Sequence, residues 1–137
     1  MMLVTIFGGG GFLGRYVAQE LLAKGMRVRV AERDPSHALR VKPLGNLGQT
    51  QLVHADVRDA SSVERAIVGS DAVVNLVAVL KGDLDGINHK GAANVARAAA
   101  SAGVKTLVHI SAIGSDAASK SAYGRSKGQG EQAVRDV

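Results

Sequence analysis

The chain has no cysteine, only four aromatic residues and no long apolar run. Without cysteine there is no disulfide framework and no thiolate metal site. Four aromatics (Phe7, Phe12, Tyr16 and Tyr123) are too few to form a platform for stacking bases, and the basic residues are scattered. The formal net charge of +5 is therefore read as that of a basic soluble domain that takes an anionic ligand, not of a nucleic-acid binder. The longest apolar stretch, Ala72 to Leu80, is interrupted by Asn75 and falls far short of the ~20 residues that cross a bilayer. The first residues are apolar, lack a basic leader and run straight into a glycine cluster. No signal peptide is expected and the cytoplasm is the default location. The four histidines (His37, His54, His89 and His109) show no metal-ligand spacing. Repeats and low-complexity segments are absent as well.

What is present is glycine in one place. Thr5-Ile6-Phe7-Gly8-Gly9-Gly10-Gly11-Phe12-Leu13-Gly14-Arg15 reads as a strand, a tight turn and the first turn of a helix. Met2 to Phe7 is apolar and rich in β-formers, as a buried strand requires, and Leu13, Val17 and Leu21 recur every four residues on one helical face. Glycine leaves no side chain between the backbone and a phosphate, and the helix N-terminus supplies unpaired N–H groups and a positive dipole end. Gly9, Gly11 and Gly14 fit G-x-G-x-x-G, while Gly8, Gly11 and Gly14 fit the wider G-x-x-G-x-x-G. The candidate pyrophosphate contacts are Gly8, Gly11, Phe12, Leu13, Gly14 and Arg15.

With 46% hydrophobic and 21% charged residues, 137 residues make one globular domain. Apolar segments alternate with helical patterns, which predicts a Rossmann fold, an α/β doubly wound parallel sheet of five strands in the order 3-2-1-4-5. The expected strands are Met2–Phe7, Arg27–Ala31, Thr50–His54, Asp71–Val77 and Lys105–Ile110. The expected helices are Phe12–Lys24, one from Ser61 (its N-cap, in a capping box with Glu64) to about Val68, Asp85–Ala102, and a last one that carries Tyr123. Ser36 to Gly48 is read as a short helix or an irregular loop.

In such a fold the second strand ends at the adenosine ribose. A carboxylate there accepts the ribose hydroxyls, and an arginine holds a 2′-phosphate. Glu32 argues for NAD(H) and Arg33 for NADP(H), with the balance tipped to NADP(H). Asp56 and Val57 are expected beside the adenine, and Val77 and Ala78 near the nicotinamide. Tyr123 and Lys127 stand four apart on one helical face. An ammonium beside a phenol, whose free pKa is ~10, favours the phenolate. Such a tyrosine can exchange a proton with a substrate oxygen, and the lysine can hold the nicotinamide ribose. Ser111, at the end of the fifth strand, completes the candidate catalytic set with Tyr123 and Lys127.

Taken together, these motifs resemble the nucleotide-binding half of an extended or atypical short-chain dehydrogenase/reductase, of the NAD-dependent epimerase/dehydratase kind. Val41 to Gln49, Val73-Val74-Asn75-Leu76, Val108-His109-Ile110-Ser111 and Ser121 to Lys127 are similar, more closely, to the NAD(P)H-holding accessory subunits of respiratory complex I and their bacterial relatives. That resemblance implies a dinucleotide held tightly without turnover, a complex I or membrane-associated partner, and a location peripheral to the inner membrane through that partner. Two alternatives stand beside it: a reductase, epimerase or dehydratase acting on a carbonyl or hydroxyl substrate, and a cofactor-free interaction fragment.

The sequence departs from the family pattern twice. The family's catalytic serine or threonine lies farther upstream of the tyrosine than the 12 residues between Ser111 and Tyr123. The family also continues past this point with further strands and a substrate-binding lobe. Residues 1–137 are therefore expected to be the nucleotide-binding domain of a longer protein, with the C-terminal lobe absent and the fifth strand exposed as an edge open to self-association.

Overall fold

A computed structural model describes all residues 1–137. Five parallel strands form one sheet: β1 (Leu3–Phe7), β2 (Arg27–Glu32), β3 (Thr50–His54), β4 (Ala72–Asn75) and β5 (Thr106–His109). Their order is β3-β2-β1-β4-β5, as the sequence predicts. β1 lies at the centre, in register with β2 from Leu3↔Arg27 to Phe7↔Ala31 and with β4 from Val4↔Ala72 to Phe7↔Asn75.

All five residues of β1 are buried, and its alternation serves two half-cores. Val4 and Ile6 face α1 (Phe12–Ala23) and a 3₁₀ segment (Pro35–Leu44), packing with Ala18, Leu22, Val28, Val30, Ala38 and Val41. Phe7 faces α2 (Ala60–Ile67) and α3 (Ala92–Ser101), with Val63, Ile67, Val73, Val95 and Ala99 around it. Thr5, on that same face, is fully buried, and its hydroxyl pairs with Ser70 Oγ at 2.6 Å. The last helix, α4 (Ala122–Arg135), packs on α3 and on the turn that precedes it.

Three local expectations are corrected. The N-cap of α2 is Asp59, not Ser61: the Asp59 carboxylate accepts the Ser61 N–H at 3.2 Å and the Ser61 hydroxyl at 2.9 Å. An aspartate two residues earlier takes the orphan donors before the serine can. β4 ends at Asn75, not Val77. Its side-chain Oδ1 captures the Val77 N–H at 3.1 Å and turns the chain off the sheet after the last ladder bond, Leu76 N–H to Phe7 O. The helix expected from Asp85 opens as a π-helical turn, Asp85–Gly91, before α3 begins. The wider turn lets consecutive Ile87 and Asn88 both face inward.

Candidate functional site

The strand order reverses between β1 and β4, and a cleft opens there at the C-terminal ends of the strands. The glycine turn forms its floor. Gly8 adopts φ +81°, a left-handed conformation that glycine takes without strain. Its carbonyl then receives the Gly11 N–H at 3.1 Å. Gly14 lies against the backbone of Gly8 and Gly9 with no room for a Cβ, so α1 sits directly on the turn. One carboxylate oxygen of Glu32 accepts the Gly10 N–H at 2.7 Å and braces the turn from β2.

Gly11 differs from its neighbours. Its backbone is extended (φ −77°, ψ −172°), and a Cβ built there meets only Gly8 O, at 3.4 Å. The fold has no need of glycine at this position, yet Gly11 lines the cleft. A surface this bare leaves the main chain open to approach by a ligand.

The cleft has a volume of about 280 Å³. Of the residues singled out in the sequence, it brings together Gly8, Gly11, Glu32, Arg33, Asp56, Val57, Val77 and Ala78. Phe7, Ala31, Ala55, Leu76, Val79 and Ile87 complete the lining. They add apolar walls that the sequence offers only as generic core residues. Arg58 grips Asp56 through Nε at 3.1 Å and Nη2 at 2.9 Å, which holds the Asp56 carboxyl down to about 2. Asp56 is thus a fixed negative charge, facing the free Arg33 guanidinium.

The other candidates lie outside this lining. Phe12 and Leu13 are exposed on the first turn of α1. Gly14 is buried behind the turn, and the Arg15 guanidinium stacks over the Tyr16 ring at 5.3 Å. Ser111 donates to Ser115 Oγ at 3.1 Å, and Tyr123 is half-buried at the start of α4. Lys127 is 2% exposed and donates to Ile110 O at 3.0 Å, the carbonyl just beyond β5. Desolvation pushes its ammonium below the ordinary lysine range.

Asn88 is the residue that sequence reasoning missed. From the π-helical turn its Oδ1 accepts the Val79 N–H at 2.9 Å, and its Nδ2 donates to Val79 O at 2.8 Å and to Ser126 Oγ at 3.1 Å. Ser126 in turn donates to Tyr123 O at 2.9 Å. A wall of the cleft and the tyrosine helix thus hang on one buried amide. Asn88→Ala is expected to lower unfolding stability by about 2–4 kcal/mol, because Val79 loses partners for both backbone groups. Urea denaturation read by circular dichroism measures it; an unchanged midpoint would mean that the amide holds nothing.

Comparison with known proteins agrees with this geometry. A family described as NAD(P)H-binding matches residues 8–136. The mitochondrial NADH dehydrogenase [ubiquinone] 1 alpha subcomplex subunit 9 of Dictyostelium discoideum is 36% identical over 141 aligned positions, covering 99% of this chain and 39% of that protein. The ceramide reductase of Caulobacter vibrioides is 32% identical, covering 97% of this chain and 42% of that one. The crystal structure of the Bordetella bronchiseptica enzyme WbmG in complex with NAD and UDP superposes with a TM-score of 0.82 at 28% identity, over 97% of this chain and 49% of that one. The chain thus spans about two fifths of the length of these curated relatives. A five-stranded Rossmann sheet, a bare glycine turn facing a cleft at its switch point, and a match over nearly the whole length place this chain in the NAD(P)H-binding family, with the short-chain dehydrogenase/reductase type of fold.

Proposed function

We propose that the chain holds NAD(P)H along the C-terminal edge of its sheet as a tightly bound structural element of a complex I-type assembly, peripheral to a membrane through its partners. The pyrophosphate lies over Gly8 and Gly11, at the N-terminus of α1. The adenosine sits between Arg33, Asp56 and Val57, and the nicotinamide reaches towards Val77, Ala78, Tyr123 and Lys127. The observation that carries this reading is Gly11, a glycine that the fold itself does not require, at the floor of the cleft. The likeness to the Dictyostelium complex I subunit favours the assembly.

Within this reading NADP(H) is preferred. Glu32 commits one oxygen to Gly10, whereas the Arg33 side chain makes no ion pair and stands at the cleft mouth. Arg33→Ala is expected to weaken NADPH by about ten- to a hundredfold, the loss of one charge-assisted contact of roughly 1.5–3 kcal/mol, and to leave NADH nearly unchanged. Calorimetric titration with both dinucleotides tests it. Equal weakening would take Arg33 off the 2′-phosphate, and no binding of either dinucleotide by the wild type would overturn the proposal. The second reading, a turnover reductase, draws on the half-buried Tyr123 above the depressed Lys127 and on the likeness to ceramide reductase. Reduction of a carbonyl substrate with stoichiometric NAD(P)H consumption would establish it in place of the first.

A further inference from the structure

His109 closes β5 beneath the cleft, and the function proposed above makes no use of it. Its register partner on β4 is Asn75. The Asn75 amide orientation is set by its neighbour: Oδ1 accepts the Val77 N–H at 3.1 Å, so Nδ2 is the group that points at His109 Nδ1, 3.4 Å away. An NH₂ donor there requires Nδ1 to be the unprotonated acceptor. The ring proton then sits on Nε2, which is buried and has no partner. Charged groups reach the ring from one element only, Lys127 and Glu131 of α4. β4 presents the neutral Asn75, and the buried face of α3 is alanine and valine. Burial and the Lys127 ammonium push His109 below the ordinary histidine range.

Adding a proton to Nδ1 sets two donors face to face. Asn75 must then turn away, and in turning it releases the Val77 N–H. Val77 lines the cleft and touches the turn: a Cβ on Gly8 would stand 3.3 Å from Val77 Cγ2. We infer that His109 is a positioning residue which, through Asn75, holds the Val77 wall of the nucleotide cleft in place only while its imidazole is neutral, so that dinucleotide affinity falls on acidification. The inference rests on the nucleotide-binding reading above. Its sign follows from linkage: the bound state favours neutral His109, so affinity is complete above the histidine pKa and is lost as pH falls through it.

The test is an NAD⁺ titration of the wild type and of His109→Gln at pH 7.5 and 4.5, the lower value chosen because His109 titrates below the ordinary histidine range. NAD⁺ is the probe because the 2′-phosphate of NADP⁺ itself titrates near pH ~6. The wild type is expected to lose affinity at the lower value, and His109→Gln, whose amide oxygen can still accept from Asn75, to change little. Nitrogen-15 spectra of the ligand-free wild type supply a measurement that needs no variant. They are expected to show His109 protonated on Nε2 at neutral pH and the Val77 amide shifting with the ring's titration. Parallel affinity profiles, an Nδ1-protonated ring, or a Val77 amide indifferent to the titration would overturn the inference while leaving nucleotide binding intact. Failure of the wild type to bind NAD⁺ at either pH would overturn both.

Discussion

Gly14→Ala is expected to cost more than about 4 kcal/mol and to leave the chain largely unfolded at room temperature. The added Cβ falls onto the Gly8 carbonyl and the Gly9 main chain, with no side chain at that point to yield. Relief requires α1 to lift from β1, and α1 brings Ala18 and Leu22 to one half-core. Burial of a leucine alone is worth roughly 1.5–3 kcal/mol, against a total stability of about 5–15 kcal/mol for a whole domain. Urea unfolding followed by far-ultraviolet circular dichroism decides it. A cooperative transition at the wild-type midpoint would show that α1 does not sit on the turn as described.

Three residues earlier the opposite result is expected. Gly11→Val should fold with near wild-type stability, because its backbone is extended and a Cβ meets nothing nearer than 3.4 Å. Its branched side chain then fills the place where the main chain must approach the pyrophosphate. Dinucleotide affinity is expected to fall more than about a hundredfold, a loss of at least ~2.7 kcal/mol. Calorimetric titration of a variant first shown to unfold cooperatively separates the two effects. Undiminished affinity would remove the turn from the binding site. On these expected results the two glycines would divide one motif into a part that builds the domain and a part that serves the ligand.

That division is invisible in the sequence, where both positions are simply glycine. The strands were legible because a parallel sheet covered on both faces demands short apolar runs, and Leu3 to Phe7 and Ala72 to Val74 are such runs. Eight of the cleft residues were legible, Gly8 and Gly11 from the glycine spacing and the other six because they lie at or after strand ends that meet at one edge of the sheet, so that position along the chain implies position in space. Asn88 was not legible. An asparagine in an alanine-rich helix carries no periodic signal, and its importance comes from a widened turn and from a backbone segment nine residues away. Lys127 was half legible. The spacing from Tyr123 gives the shared helical face, but only the placement of α4 against α3 and the segment after β5 shows the ammonium buried on a main-chain carbonyl. The α2 cap was misread because Asp59 and Ser61 both suit the position, and local propensity does not rank an acceptor two residues upstream.

The central place of β1 also sets an order in time. During synthesis β1 and β2 emerge together and can pair at once, but the other edge of β1 belongs to β4, whose first residue is Ala72. At translation rates of about 5–20 residues per second, roughly 2–8 s pass between the appearance of Ala31 and that of Ala72. Through that interval a nascent sheet presents the open edge of its most apolar strand, with Phe7 uncovered and the Val77 wall not yet made. β1, the first of the five strands to be made, is thus enclosed only when the fourth arrives. A chaperone that recognises extended apolar segments would find its clearest target at Leu3–Phe7, and slowing translation ahead of Ala72 would lengthen the exposure.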